Sequence, residues 1–291
     1  MKVTLLDYME DAEKIMVAAA YATRSPKSAV DINPTTKMIK DMIKWTKKYR
    51  LSSVLDFPYY IFTIEGVSRV FTHQWVRYRH AAHMQQSQRY VKVKVDSADW
   101  FVIPPSIVQK GVDVVVDYIR AHLEIGRKYK ELLERGIMPE DARFLLPNSV
   151  KTHISTAFDA EEMIHIIYQR TCFEAQWEIR TVAYAILFAG LLVHPIIFDG
   201  VGPPCIYEGV CRSPKKGVCE PDARRIITQL IRRRDAVKDE FEKLEQGEFL
   251  KVDLTDILGY RAPRDVVREV SDKLGFDVNL DFEVLVWVRK K

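Results

Sequence analysis

Between His73 and Tyr90 the chain gathers Arg77, Arg79 and Arg89, Gln74, Gln85, Gln86 and Gln88, and Ser87. Guanidinium forks suit phosphate or carboxylate. Carboxamides both donate and accept, as the edge of a pyrimidine requires. A hydroxyl and free backbone N–H groups beside arginine complete an anion cradle. By chemistry alone the stretch reads as a site for a small anionic, hydrogen-bonding ligand, most simply a nucleotide. Arginine and glutamine clusters also form ordinary solvated faces, so order and spacing must decide.

Arg77-x-Arg79, seven residues and then Ser87 resembles the Arg-His-Arg-x7-Ser signature of the flavin-dependent thymidylate synthases, with Tyr78 at the histidine. Glu65–Arg69, His73-Gln74 and Gln85–Tyr90 are similar to the same family. A second run, Tyr168–Arg180, resembles its downstream signature through Arg170-x-Cys172 and Ala175-Gln176-Trp177-Glu178-Ile179-Arg180. One short match is weak; two in the expected order are much more specific. The resemblance covers about residues 1–245.

The resemblance implies reductive methylation of dUMP at C5 to dTMP. FAD would be the cofactor, with methylenetetrahydrofolate as one-carbon donor and NADPH as reductant. It implies a homotetramer with sites shared between subunits and no protein nucleophile. The nucleotide would be held by Gln74, Arg77, Gln85, Gln86, Ser87, Gln88, Arg89, Arg143 and Arg170, with Arg170 also the catalytic group that polarises the pyrimidine. The flavin would fall to Thr23, Ser53, Asp56, Arg77, Tyr78, Arg79, His80 and His165. The flavin half departs further from the family pattern. Phe57 replaces a histidine, and Asp159 and Glu161 stand where an Asn-x-Arg segment would meet the pyrophosphate. Two other readings stay open: a divergent relative acting on another pyrimidine nucleotide, and a flavin-free nucleotide- or RNA-binding protein.

Positioning these groups falls to elements readable from apolar spacing. Lys2–Asp7 predicts a strand, Glu10–Tyr21 a helix broken at Thr23-Arg24-Ser25-Pro26, and Thr35–Tyr49 a second helix. The apolar run Tyr59–Ile64 precedes helical spacing over Glu65–Tyr78, which would make Gln74 and Arg77 helix neighbours. Ser87 falls on an irregular segment, and Tyr90–Val95 alternates like a strand. Val112–Arg135 is a long amphipathic helix. Pro139 opens a short one that carries Arg143. Asp159-x-x-Glu162 is a capping box for the helix leading into the second signature.

The apolar run Thr181–Val193 is too short to span a bilayer and predicts a buried helix. Asp222–Gln246 reads as a charged helix, Asp265–Leu274 as a helix and Phe282–Val288 as a strand. The sum is an α+β fold, a mixed sheet with long helices, over residues 1–245, with 246–291 as a C-terminal extension of unassigned role.

At 291 residues, 47% hydrophobic and 29% charged, the composition is that of a globular protein. A net charge of +4 fits small anionic ligands and does not single out nucleic acid, which is expected to be no partner. Cys172, Cys205, Cys211 and Cys219 are too few for a disulfide scaffold, which points to the cytoplasm. The Cys205-x5-Cys211-x7-Cys219 spacing is poor for zinc, so no metal site is expected.

Overall fold

The protein is described by a computed structural model covering every residue except Arg50, Lys215 and Lys216. Six strands, β1 (Lys2–Tyr8), β2 (Tyr59–Ser68), β3 (Ala81–Gln85), β4 (Lys151–Asp159), β5 (Phe249–Asp253) and β6 (Leu285–Arg289), form one sheet. Their order is β3-β4-β2-β1-β6-β5. Neighbours run antiparallel except β1 and β6, which are parallel, so the sheet is mixed. The major helices are α1 (Ala12–Ala22), α2 (Thr36–Tyr49), α3 (Arg69–Trp75), α4 (Val112–Glu134), α5 (Ala160–Arg170), α6 (Trp177–Val193), α7 (Glu220–Lys243) and α8 (Arg264–Leu274). The α+β reading therefore holds.

Alternation on β2 buries Tyr60, Phe62 and Ile64 completely. Every residue of α6 from Thr181 to Leu192 is buried, as a helix that is apolar all round requires. Gly190 permits the close fit: a Cβ there would lie 2.7 Å from Phe198 Cδ2 and 2.8 Å from Met163 Cε. Among the described residues no helix is long and apolar enough to cross a membrane. A second cluster forms where α4 and α8 meet, around Trp100, Phe101, Val115, Ile119 and Val270. Residues 246–291 thus supply β5, β6 and α8, and β6 lies inside the sheet, paired on both sides.

Several local expectations are corrected. Glu65–Ser68 continues β2, and only Arg69–Trp75 is helical, so Arg77 lies beyond the helix that carries Gln74. Tyr90–Val95 is not a strand. Its valines have no ladder partner, and Val93 and Val95 pack instead on the Trp100 cluster. Apolar spacing in the sequence does not predict the strands β3, β4 and β5. The second signature is not one continuous helix, since α5 ends at Arg170 and α6 begins at Trp177.

Candidate active site

The site begins at a bulge. The register of β2 against β4 shifts between Glu65 and Val67, and Gly66 there has φ 70°, a conformation L side chains avoid. The bulge delivers Ser68 to the start of α3, where its Oγ accepts from Phe71 N at 3.1 Å. The same hydroxyl donates to Glu178 Oε2 at 2.5 Å, and Ser68 N donates to Glu178 Oε1 at 2.8 Å. Glu178 is almost fully buried at the head of α6. Gln176 accepts from Glu178 N and Ile179 N, and Arg180 clasps the carbonyls of Phe173 and Ala175. Much of the second signature therefore docks α6 onto α3.

Arg69, next along, is a further candidate that its position in the Glu65–Arg69 run does not single out. Its Nη2 donates to Gln86 O at 3.3 Å, and its buried Nε has no partner. Gln88 Nε2 is likewise buried and unpartnered. Arg143 Nε donates to Glu140 O at 3.1 Å, while the Glu140 carboxylate takes Arg89 Nε at 3.0 Å. Glu140 so ties Arg89 to Arg143. Burial, and then the charge of Arg143, hold Arg69 below its ordinary pKa. Two cations brought together beside two unmet donors are what an anion would satisfy. Ser87 Oγ accepts from Arg89 N at 3.2 Å, leaving its proton available. Gln85 is turned to Thr72 Oγ1 at 2.8 Å, and Gln74 lies against Val70 O.

A second group lies at the other end of β3. Arg170 closes α5, and its Nε donates to Tyr78 Oη at 2.6 Å with the guanidinium over the ring. Tyr78 Oη donates in turn to Gln169 Oε1 at 3.2 Å. Burial raises the Tyr78 pKa, with Arg170 opposing the shift. Glu174 does not pair with Arg170; it accepts from Ser213 Oγ. Tyr78 precedes β3 and Gln86 follows it, so one chain separates the two groups by roughly 14 Å of strand.

Of the residues expected at a flavin, Thr23, Ser53 and His165 line two separate cavities, and Asp56, Arg77, Tyr78, Arg79 and His80 line neither. Thr23 and Ser53 line one of about 570 Å³ with Met16, Trp45, Phe57 and Arg24. Thr23 Oγ1 also donates to Ala20 O at 2.8 Å, closing the turn after α1. His165 and Glu161 line another, of about 690 Å³, with Lys47 and Tyr168. Burial, and then Asp56, Asp159 and Glu162, raise the Glu161 pKa. Asp159 itself caps α5, accepting from Glu162 N at 2.7 Å. Arg77, Arg79 and His80 are exposed, and neither arginine joins an ion pair among the described residues. The slot lined by Thr23 and Ser53, with apolar walls, two hydroxyls and Arg24, has the size and chemistry that suit a flavin. The carboxylates near Glu161 would supply none of the positive charge its phosphates need. The four cysteines are free and surround one small cavity. No group of three or more His, Cys, Asp or Glu among the described residues could hold a metal ion.

The fold is an α+β one with a mixed sheet, and the site gathers arginines and unmet donors whose chemistry suits an anion. A sequence model of the thymidylate synthase complementing protein family matches residues 4–196. The flavin-dependent thymidylate synthase of Sulfolobus acidocaldarius is 38% identical over 208 residues, 71% of this chain and 78% of that one. Its counterpart from Sulfurisphaera tokodaii is 37% identical over 217 residues, 73% of this chain and 82% of that one. Among solved structures, the UMP/dUMP methylase PolB from Streptomyces cacaoi bound with 5-Br dUMP superimposes with a TM-score of 0.62 at 21% identity. It covers 68% of this chain and 92% of its own. The flavin-dependent thymidylate synthase of Helicobacter pylori complexed with FAD and dUMP gives 0.57 at 21% identity, covering 69% of this chain and 100% of its own. The chain belongs to the flavin-dependent thymidylate synthase family.

Proposed function

We propose that this protein is a flavin-dependent thymidylate synthase, methylating dUMP at C5 with methylenetetrahydrofolate as carbon donor and NADPH as reductant. The observation that carries the reading is the Arg69–Arg143 pair, with the unmet donors of Arg69 and Gln88 beside Ser87 and Arg89. That arrangement suits a nucleotide phosphate, and Arg170 suits the pyrimidine carbonyl. Hydrogen bonds from Arg170 would draw electron density away from the ring oxygens and make C5 answer to an electrophilic carbon. Gln74 and Arg77 would complete the nucleotide site.

When bound, the flavin supplies redox chemistry no side chain here can perform. Thr23, Ser53, Asp56, Arg79, His80 and His165 are the residues we assign to holding it, with Arg77 shared; the buried Tyr78, whose hydroxyl is taken by Arg170 and Gln169, is left out of that set. We assign a homotetramer on the family resemblance, and the separation of the two groups along β3 suits a site that draws on more than one subunit. The free thiols agree with a cytoplasmic setting, and nothing in the reading calls for nucleic acid.

The test is a visible absorption spectrum after incubation with FAD and dUMP and desalting, followed by a dTMP assay with methylenetetrahydrofolate and NADPH. Retained flavin bleached by NADPH, with dTMP formed, is the expected result. Bound dUMP with no retained flavin and no dTMP would overturn it.

A further inference from the structure

Tyr78 departs from the family signature within the run that carries the resemblance, and the structure gives it a partner. Its ring is buried, edge-on to Trp75 at 5.9 Å and to His165 at 6.0 Å. Its backbone is fixed too: Tyr78 N donates to Trp75 O at 3.3 Å, and Tyr78 O meets His83 Nε2 at 3.3 Å. The hydroxyl therefore stands at a determined point. There it accepts from Arg170 Nε at 2.6 Å and donates to Gln169 Oε1 at 3.2 Å. One lone pair and the proton are used, and both partners belong to the last two residues of α5.

An arginine at the end of a helix has four rotatable bonds, and freezing them costs entropy that each turnover would otherwise meet again. Anchoring Nε and laying the guanidinium over a fixed ring removes most of that freedom. Nη1 and Nη2 have no hydrogen-bond partner among the described residues. A guanidinium fixed through Nε presents these two nitrogens as a preset fork.

We propose that Tyr78 is a positioning residue for the reaction. Its hydroxyl locks Arg170 through Nε so that Nη1 and Nη2 face the pyrimidine of the bound nucleotide. An imidazole, the family's group at this position, is shorter than a phenol and would set the guanidinium differently. This chain has therefore adjusted the catalytic arginine through its neighbour. The inference rests on the function proposed above.

Y78F keeps the ring and its packing and removes only the hydroxyl. Expected are a kcat about tenfold lower, a KM for dUMP changed less than twofold, and a melting temperature close to wild type. R170K should be impaired more, and Y78F added to R170K should cost almost nothing further. Additive losses in the double variant, or a Y78F defect confined to KM, would overturn the proposal. A direct readout is 15N NMR of the Arg170 Nε–H. Its slow exchange in wild type should become fast in Y78F, and an unchanged exchange rate would also overturn the proposal. Because the NMR signal needs no turnover, an enzyme that makes no dTMP would sink the functional reading while the Tyr78–Arg170 lock is still judged.

Discussion

The charge of Arg143 acts on Arg69, yet neither arginine has a carboxylate partner among the described residues. Glu140 gives Arg143 only its backbone carbonyl and spends its carboxylate on Arg89. Leaving a buried donor unmet costs about 1–3 kcal/mol, a cost that an anion meeting the Arg69 Nε would relieve. R69Q should weaken dUMP binding roughly 10- to 100-fold, matching about 1.5–3 kcal/mol for a hydrogen bond to a charged group. It should leave the ligand-free protein as stable as wild type, or more so. Thermal melts with and without dUMP check both halves, and an equal dUMP-induced rise in melting temperature in the two proteins would refute the assignment.

R170A removes the group we assign to the pyrimidine. A loss of about 10²- to 10³-fold in kcat is expected, the usual effect of deleting a donor aimed at developing charge. Folding should survive, since the Tyr78 ring that Arg170 touches is also held by Trp75 and His165. Turnover near the wild-type rate would end its catalytic role.

Glu161 lies with Asp56, Asp159 and Glu162 where the proposed flavin would bring further negative charge. E161R should tighten FAD binding about fivefold, the worth of about 1 kcal/mol for one partly exposed charge pair. Quenching of flavin fluorescence on titration measures it. Weaker binding in E161R would show that the phosphates lie elsewhere.

His194 gives an acid-stability prediction. It is buried beside Tyr8 and Tyr60, with Nδ1 2.8 Å from Tyr60 Oη, and burial lowers its pKa to about 4. The unfolded chain binds this proton at about pH 6.5 and the folded chain only near 4, so stability falls as pH drops between those values. The full difference is on the order of 3 kcal/mol. Buried carboxyls such as Glu13 and Glu178 shift the other way. The comparison is therefore wild type against H194Q from pH 7 to 4.5, where the variant should lose less stability. Parallel curves would contradict it.

The long helices and β1 were legible because their apolar spacing settles which face is buried. What escaped the sequence had weaker local signals. In β3, Ala81-Ala82-His83-Met84-Gln85 has no β-branched residue, and it is a strand because β4 offers it a ladder. On β4, burial of Thr152, Ile154, Thr156 and Phe158 alternates, but two of those four are threonines. Tyr90–Val95 shows the reverse error, a regular alternation with nothing to pair with. The arginines proposed for the nucleotide are singled out in the sequence by residue type, spacing and the family resemblance. Arg69 resembles any surface arginine until the Gly66 bulge and the Ser68 cap turn it toward Gln86. Glu178 and Arg180 sit in a conspicuous motif, yet their work is joining helices, which only tertiary contacts reveal.

The placement of β6 bears on how the molecule is made. Lys2 pairs with Leu285 and Leu5 with Val288, so neighbouring strands of one sheet are drawn from distant parts of the chain. A ribosome exposes β1 and β2 long before β6 exists, and during that interval β1 has a bare edge. Closing so long a loop costs only a few kcal/mol of entropy but slows folding, because the reward arrives after the cost. The edge of β1 would therefore stay bare until Leu285–Arg289 emerge from the ribosome. Fusions that delay release of that segment should increase aggregation during synthesis.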